Sequence, residues 1–152
     1  MLPSPKTLSI QDHSRASAGL TYVYPVLSRR AGGISLGINL NPNNACNWHC
    51  VYCQVENLTR GSAPTIDLRL LQQELDDVLD AIQAGSYFPE SLPQDQRRLV
   101  DIAFSGNGEP TSAKEFPQAI RLVAETMTRR SLLPQVCLRL ITNGSLVDRR
   151  DV

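Results

Sequence analysis

Ile34, Leu36, Ile38 and Leu40 alternate with Ser35, Gly37 and Asn39, the period of two expected of a strand with one buried face. Asn41-Pro42-Asn43-Asn44 breaks the run, and a long stretch without periodicity follows, of the kind that in a compact domain is usually functional. Helical spacing then takes over. Leu68, Leu71, Leu75, Val78, Leu79 and Ile82 form one apolar stripe, with Glu74, Asp76, Asp77 and Asp80 mostly off it, which predicts a helix from about Asp67 to Ala84. Thr65 or Asp67 suits its N-cap and Gly85 the position after its C-cap. Leu99 to Ser105 reads as a second strand. Phe116, Ile120, Val123 and Met127 define a second helix, with Pro117 suited to its first turn. Val136 to Ile141 reads as a third strand.

The order is β-α-β-α-β, which predicts an α/β fold with three parallel strands joined by right-handed crossover helices. Ligands in such folds bind at the carboxyl ends of the strands. Three polar motifs fall there: the irregular stretch after the first strand, Gly106-Asn107-Gly108-Glu109 after the second, and Thr142-Asn143-Gly144 after the third. They are expected to converge on one site.

Composition narrows the picture without deciding it. Lys+Arg and Asp+Glu are balanced at 15 each, so a nucleic-acid partner is neither indicated nor excluded by charge. No apolar run approaches the ~18 residues of a membrane span. Ser28-Arg29-Arg30 is followed by glycines and strand patterning rather than an apolar stretch, which rejects a twin-arginine export signal. A cytoplasmic location is expected.

The irregular stretch holds Cys46, Cys50 and Cys53 in the spacing C-x3-C-x2-C. Thiolates are soft ligands that select iron–sulfur clusters, zinc or Cu(I). Three cysteines on a four-iron cube leave one iron without a protein ligand, where a substrate can coordinate. A structural zinc site would need His49 or His13 as fourth ligand. His49 directly precedes Cys50, an awkward place to close the same tetrahedron. The fourth cysteine, Cys137, lies in an apolar run and reads as a buried thiol acting as a small hydrophobe.

With Tyr52 directly before the last cysteine, this motif resembles the signature of the radical S-adenosylmethionine (radical SAM) superfamily. Tyr22-Val23-Tyr24-Pro25, Ser28-Arg29-Arg30-Ala31-Gly32-Gly33 and Leu40-Asn41-Pro42 through Gln54 resemble bacterial members grouped with the wybutosine-type Fe–S oxidoreductases. The resemblance implies a [4Fe–4S] cluster on Cys46, Cys50 and Cys53. Ser105-Gly106-Asn107-Gly108-Glu109-Pro110 resembles the superfamily's glycine-rich motif for the methionine amino group, with Asn107 in place of the first of two adjacent glycines. Gly106, Asn107, Gly108 and Glu109 are thereby implied as S-adenosylmethionine contacts, Thr142 and Asn143 as further ones, and Tyr52 as an adenine contact. The implied activity is reductive cleavage of S-adenosylmethionine to a 5′-deoxyadenosyl radical, which abstracts hydrogen from an unknown substrate. The electron comes from an external donor of flavodoxin or ferredoxin type. The alternative is a non-catalytic metal-binding fragment, holding zinc or an electron-transfer cluster.

Superfamily barrels have six βα units, and the patterning here finds three. The expectation is therefore the N-terminal half of a partial (βα)6 barrel, truncated, with residues 1–32 as a leader and 33–152 as the domain. Residues 1 to about 20 read as loosely ordered.

Overall fold

Strand alternation and helical stripes both find their expected partners in the computed structural model, which describes residues 19–28, 32–88, 90 and 92–152. The stretch expected to be loosely ordered, residues 1 to about 20, falls mostly on residues 1–18, which lie outside the described ones, as do Arg29, Arg30 and Ala31. Among the described residues the strands are β1 Val23–Ser28, β2 Gly33–Ile38, β3 Ala45–Cys46, β4 Thr59–Arg60, β5 Leu99–Phe104 and β6 Cys137–Leu140. Two helices, α1 Leu68–Gln83 and α2 Phe116–Arg129, lie in the connections between β4 and β5 and between β5 and β6.

The main sheet has the order β1-β2-β5-β6. β2 pairs with β5 and β5 with β6 in parallel, whereas β1 pairs with β2 antiparallel. This corrects the expected fold class. The sheet is a mixed four-stranded one carrying two helices, not a partial (βα)6 barrel of three parallel strands. The reason is local. The connection from Ser28 to Gly33 is too short for a crossover, and a chain that reverses so quickly must pair antiparallel. Pro25 interrupts the alternation that would otherwise mark β1; prolines in strands are confined to edges, and β1 is the sheet edge.

One sheet face carries the core. Ile34, Leu36, Ile38, Ile102 and Phe104 are fully buried and pack with Leu71, Leu75, Val78 and Leu79 of α1 and Phe116, Ala119, Val123 and Met127 of α2. Phe104 and Phe116 meet edge to face with centroids 5.7 Å apart. Burying each such side chain contributes about 1.5–3 kcal/mol, so the helices are fixed chiefly by these stripes. Asp67 caps α1, its side chain accepting the Arg69 and Leu70 N–H groups at 3.0 and 3.1 Å. Arg130 ties the helices together, donating to Asp76 at 2.7 Å and to Asp80 at 2.6 Å.

Glu74 sits within the buried part of α1 despite its charge. Its carboxylate accepts the backbone N–H groups of Thr21, Tyr22 and Val23 at 2.7, 2.8 and 3.1 Å. A buried carboxylate is tolerated when its lone pairs are filled in this way. Here the filling anchors the start of β1 on α1.

Among the described residues no helix covers the opposite sheet face, which is polar. Ser35 donates to Asp101, and Arg139 donates to the other Asp101 oxygen at 2.9 Å. Tyr24 meets Ser105 at 2.8 Å. Cys137 is exposed on this face at the open edge. The buried-thiol reading of Cys137 is thereby corrected: alternation carries it to the uncovered side of the last strand.

Candidate functional site

The irregular stretch is closed at its base by a two-residue parallel ladder, β3 with β4. Thr59 N–H donates to the Asn44 carbonyl at 2.9 Å and Gly61 N–H to the Cys46 carbonyl at 3.0 Å. Cys46 is therefore held on a strand and buried, while Cys50 is half-buried and Cys53 exposed on the loop beyond. A turn joins the last two, Cys53 N–H donating to the Cys50 carbonyl at 3.0 Å. Tyr52 is 79% exposed. Its hydroxyl is pushed up from its ordinary value, first by a hydrogen bond with Cys50 and then by the charges around it. Trp48 is 56% exposed and is not a packing residue.

The second motif meets this base directly. A side-chain carbon on Gly108 would lie 2.3 Å from the Ala45 carbonyl oxygen, and one on Gly106 2.3 Å from Asn39 Oδ1. Both glycines serve close approach of two loops. Asn107 binds across the same seam, its N–H donating to Asn39 Oδ1 at 3.1 Å and its side chain to Asn44 Oδ1 at 2.6 Å. Asn39 and Asn41 are both buried. Asn39 also accepts the Asn41 N–H at 3.0 Å, and Asn41 donates to the Ala45 carbonyl at 2.9 Å. The sequence reading missed these two asparagines as the hinge of the site. An Asn on the polar face of the strand, followed by Asn-Pro, was the available signal.

Glu109 is 2% exposed. Its Oε1 accepts the Thr111 N–H at 3.1 Å, the Thr111 hydroxyl at 2.5 Å and the Thr142 hydroxyl at 2.7 Å, and its Oε2 accepts the Asn143 N–H at 2.7 Å. A carboxylate offers about four lone-pair sites, two on each oxygen. Oε1, with three donors, is more than filled, and among the described residues Oε2 has one donor and retains capacity for one more.

One cleft, with a volume of about 310 Å³, brings the three motifs together. Cys46, Cys50, Cys53 and Tyr52 line it from the first, Gly106, Asn107, Gly108 and Glu109 from the second, and Thr142 and Asn143 from the third. Trp48, Val55, Leu58 and Ile141 add apolar surface. Every residue that the resemblance implied as a cluster or S-adenosylmethionine contact thus borders one space at the carboxyl end of the parallel strands. His49 is exposed and absent from the lining. Arg139 pairs with Asp101 on the neighbouring strand.

Among the described residues, no three His, Cys, Asp or Glu side chains stand close enough together to hold a metal ion. The donor chemistry nonetheless suits an iron–sulfur group: three free thiols border one cleft, two of them joined by a short turn.

No family model matches the chain. No solved structure matches it. Among curated proteins it is 28% identical over 131 residues to "GTPase Obg" of Brachyspira hyodysenteriae, covering 84% of the chain and 16% of that protein. It is 30% identical over 129 residues to "UPF0026 protein MJ1312" of Methanocaldococcus jannaschii, covering 84% of the chain and 34% of that protein. The resemblance to the radical SAM superfamily is not upheld. These matches carry other names, and the chain spans only a sixth to a third of the relatives' length. Nor does the chain contain a G-x-x-x-x-G-K-[ST] phosphate loop, since no glycine precedes either lysine. Among the described residues, no helix is long and apolar enough to cross a membrane.

Proposed function

We propose that the chain binds a [4Fe–4S] cluster through Cys46, Cys50 and Cys53, binds S-adenosylmethionine beside it, and acts as an enzyme that cleaves this ligand reductively. The reading is carried by one observation: three thiols and an almost fully buried carboxylate with spare acceptor capacity border the same cleft. Thiolates of soft character hold iron, and a three-cysteine set leaves one iron open to a chelating ligand. The spare lone pair on Glu109 Oε2 suits a ligand ammonium, a charge-assisted bond that is strong where water is excluded. Trp48, Tyr52 and Ile141 offer apolar surface for a nucleoside base. When bound, the cluster would supply the one electron for reductive cleavage of S-adenosylmethionine to methionine and a 5′-deoxyadenosyl radical able to abstract hydrogen from the substrate.

The chain's own residues bind and orient. Glu109 holds the amino group. Thr142 and Asn143 keep Glu109 aimed at the cleft, and the Gly106–Gly108 segment closes its floor against Ala45 and Asn39. An external one-electron donor of flavodoxin or ferredoxin type is the implied partner, and four free cysteines among the described residues suit a cytoplasmic setting.

The test is anaerobic. The iron-loaded, reduced chain is titrated with S-adenosylmethionine and followed by electron paramagnetic resonance. The signal is expected to change on ligand addition, and Glu109→Gln to weaken that response with the iron content kept. A cluster signal indifferent to the ligand would leave the non-catalytic reading in its place.

A further inference from the structure

Asn47 follows the first cysteine directly and does not line the cleft, yet it ties the cysteine loop to the turn that holds Glu109. Its side-chain nitrogen donates to the Ser145 hydroxyl at 2.8 Å, and its side-chain oxygen accepts the Asn143 amide at 3.2 Å. The same oxygen faces the Cys46 thiol at 3.8 Å. Asn143 is in turn fixed from both sides. Its backbone N–H rests on Glu109 Oε2 at 2.7 Å, and its side-chain oxygen accepts the Ser145 N–H at 2.9 Å. Gly144 N–H closes the turn on the Thr142 hydroxyl at 3.0 Å. Residues 142–145 thus form a compact polar unit with Glu109 on one flank and Asn47 on the other.

We infer that Asn47 is a positioning residue that couples the Glu109 carboxylate to the seating of Cys46. The inference rests on the reading of this cleft as a thiol-and-carboxylate ligand site, but the coupling belongs to the polypeptide itself. A donor arriving at Oε2 shares that oxygen with the Asn143 N–H. Any movement of Asn143 reaches Asn47 through one hydrogen bond and Cys46 through the next residue. Because coupling free energies are reciprocal, gathering the thiols also changes the affinity at Glu109. A connected hydrogen-bond network with both ends in the cleft is the physical requirement for such coupling.

The experiment uses the metal-free full chain, so that it stands or falls apart from cluster binding. Cys46 is 8% exposed, and its alkylation by iodoacetamide, read by mass spectrometry, reports local opening of the loop. Asn47→Leu is expected to speed Cys46 alkylation about tenfold, as loss of its hydrogen bonds would. Glu109→Gln should speed it as well, and the double variant should go no faster than Asn47→Leu alone. Such non-additivity is the mark of coupled residues. Asn47→Asp keeps the acceptor for Asn143 and can accept from the Ser145 hydroxyl, so it should restore protection. Amide exchange of residues 71–79 monitors the core and separates local opening from unfolding. If Glu109→Gln does not fold, Thr142→Val replaces it, since it removes the 2.7 Å bond to Oε1. Unchanged alkylation in the Glu109 or Thr142 variant, or rate effects that simply multiply, would overturn the coupling. Failure to bind iron would overturn the proposed function and leave these rates unaffected.

Discussion

Glu109 and Asn143 stand on different strand ends, 34 residues apart, and are joined by a 2.7 Å bond from the Asn143 N–H to the Glu109 carboxylate. With the Thr142 hydroxyl on the other oxygen, this contact welds the ends of β5 and β6 and fixes the carboxylate at the cleft. Glu109→Gln would present an amide NH₂ where either a hydroxyl or an N–H must be accepted. A loss of about 1–3 kcal/mol is expected from the donor left unpaired. A urea unfolding curve should show the lowered midpoint with an unaltered slope, whereas an unchanged midpoint would mean that the contact is dispensable.

Gly108 makes a sharper prediction about geometry. Gly108→Ala places a carbon 2.3 Å from the Ala45 carbonyl oxygen, a backbone atom that cannot swing aside. Overpacking of this kind typically costs about 1–3 kcal/mol. Because Ala45 carries β3, the same variant should expose Cys46 to alkylation. A variant as stable and as protected as the parent would contradict the close approach.

Glu74 is expected to matter to the fold alone. Glu74→Gln keeps the size of the side chain but turns one acceptor into a donor facing the Thr21, Tyr22 and Val23 N–H groups. Destabilisation of about 1–3 kcal/mol should follow, with β1 amides exchanging faster. Metal binding by the cysteine loop should be unchanged in the folded fraction.

Asp76 supplies a pH dependence. Burial pushes its carboxyl up, but hydrogen bonds from Arg130 and Gln72, with the charges of Arg130 and Arg129, outweigh burial and hold it below its ordinary value of 3.8. A carboxyl lowered in the folded state contributes stability that is complete above the unfolded value and is lost as pH falls through the folded one. The urea midpoint should therefore decline as pH drops below about 4. Asp76→Asn should unfold more easily at neutral pH and show a shallower acid decline. Equal declines in both proteins would remove Asp76 from the account.

The parts legible in the sequence are those governed by a single period. Strict alternation from Ile34 marked β2, and the leucine stripe with Asp67 ahead of it marked α1 almost to the residue. The convergence of three strand-end motifs followed from parallel order, and one cleft indeed receives them. What was illegible depends on partners distant in sequence. Glu74 looked like a solvent-facing charge because the N–H groups that fill it lie more than 50 positions upstream. β1 was hidden because Pro25 breaks its pattern and because antiparallel pairing with β2 is decided by a short connection, which changed the fold class. Cys137 looked buried because apolar neighbours say nothing of which strand lies at an edge. Gly106 and Gly108 were legible only as implied ligand contacts; their close approach to Asn39 and Ala45 depends on partners more than 60 positions away.

Metal analysis after anaerobic reconstitution with iron and sulfide tests the central proposal most directly. The account predicts about four irons per chain, falling to background when Cys46, Cys50 and Cys53 are all replaced by serine. One tightly held zinc without iron, or iron retained by the triple variant, would contradict it.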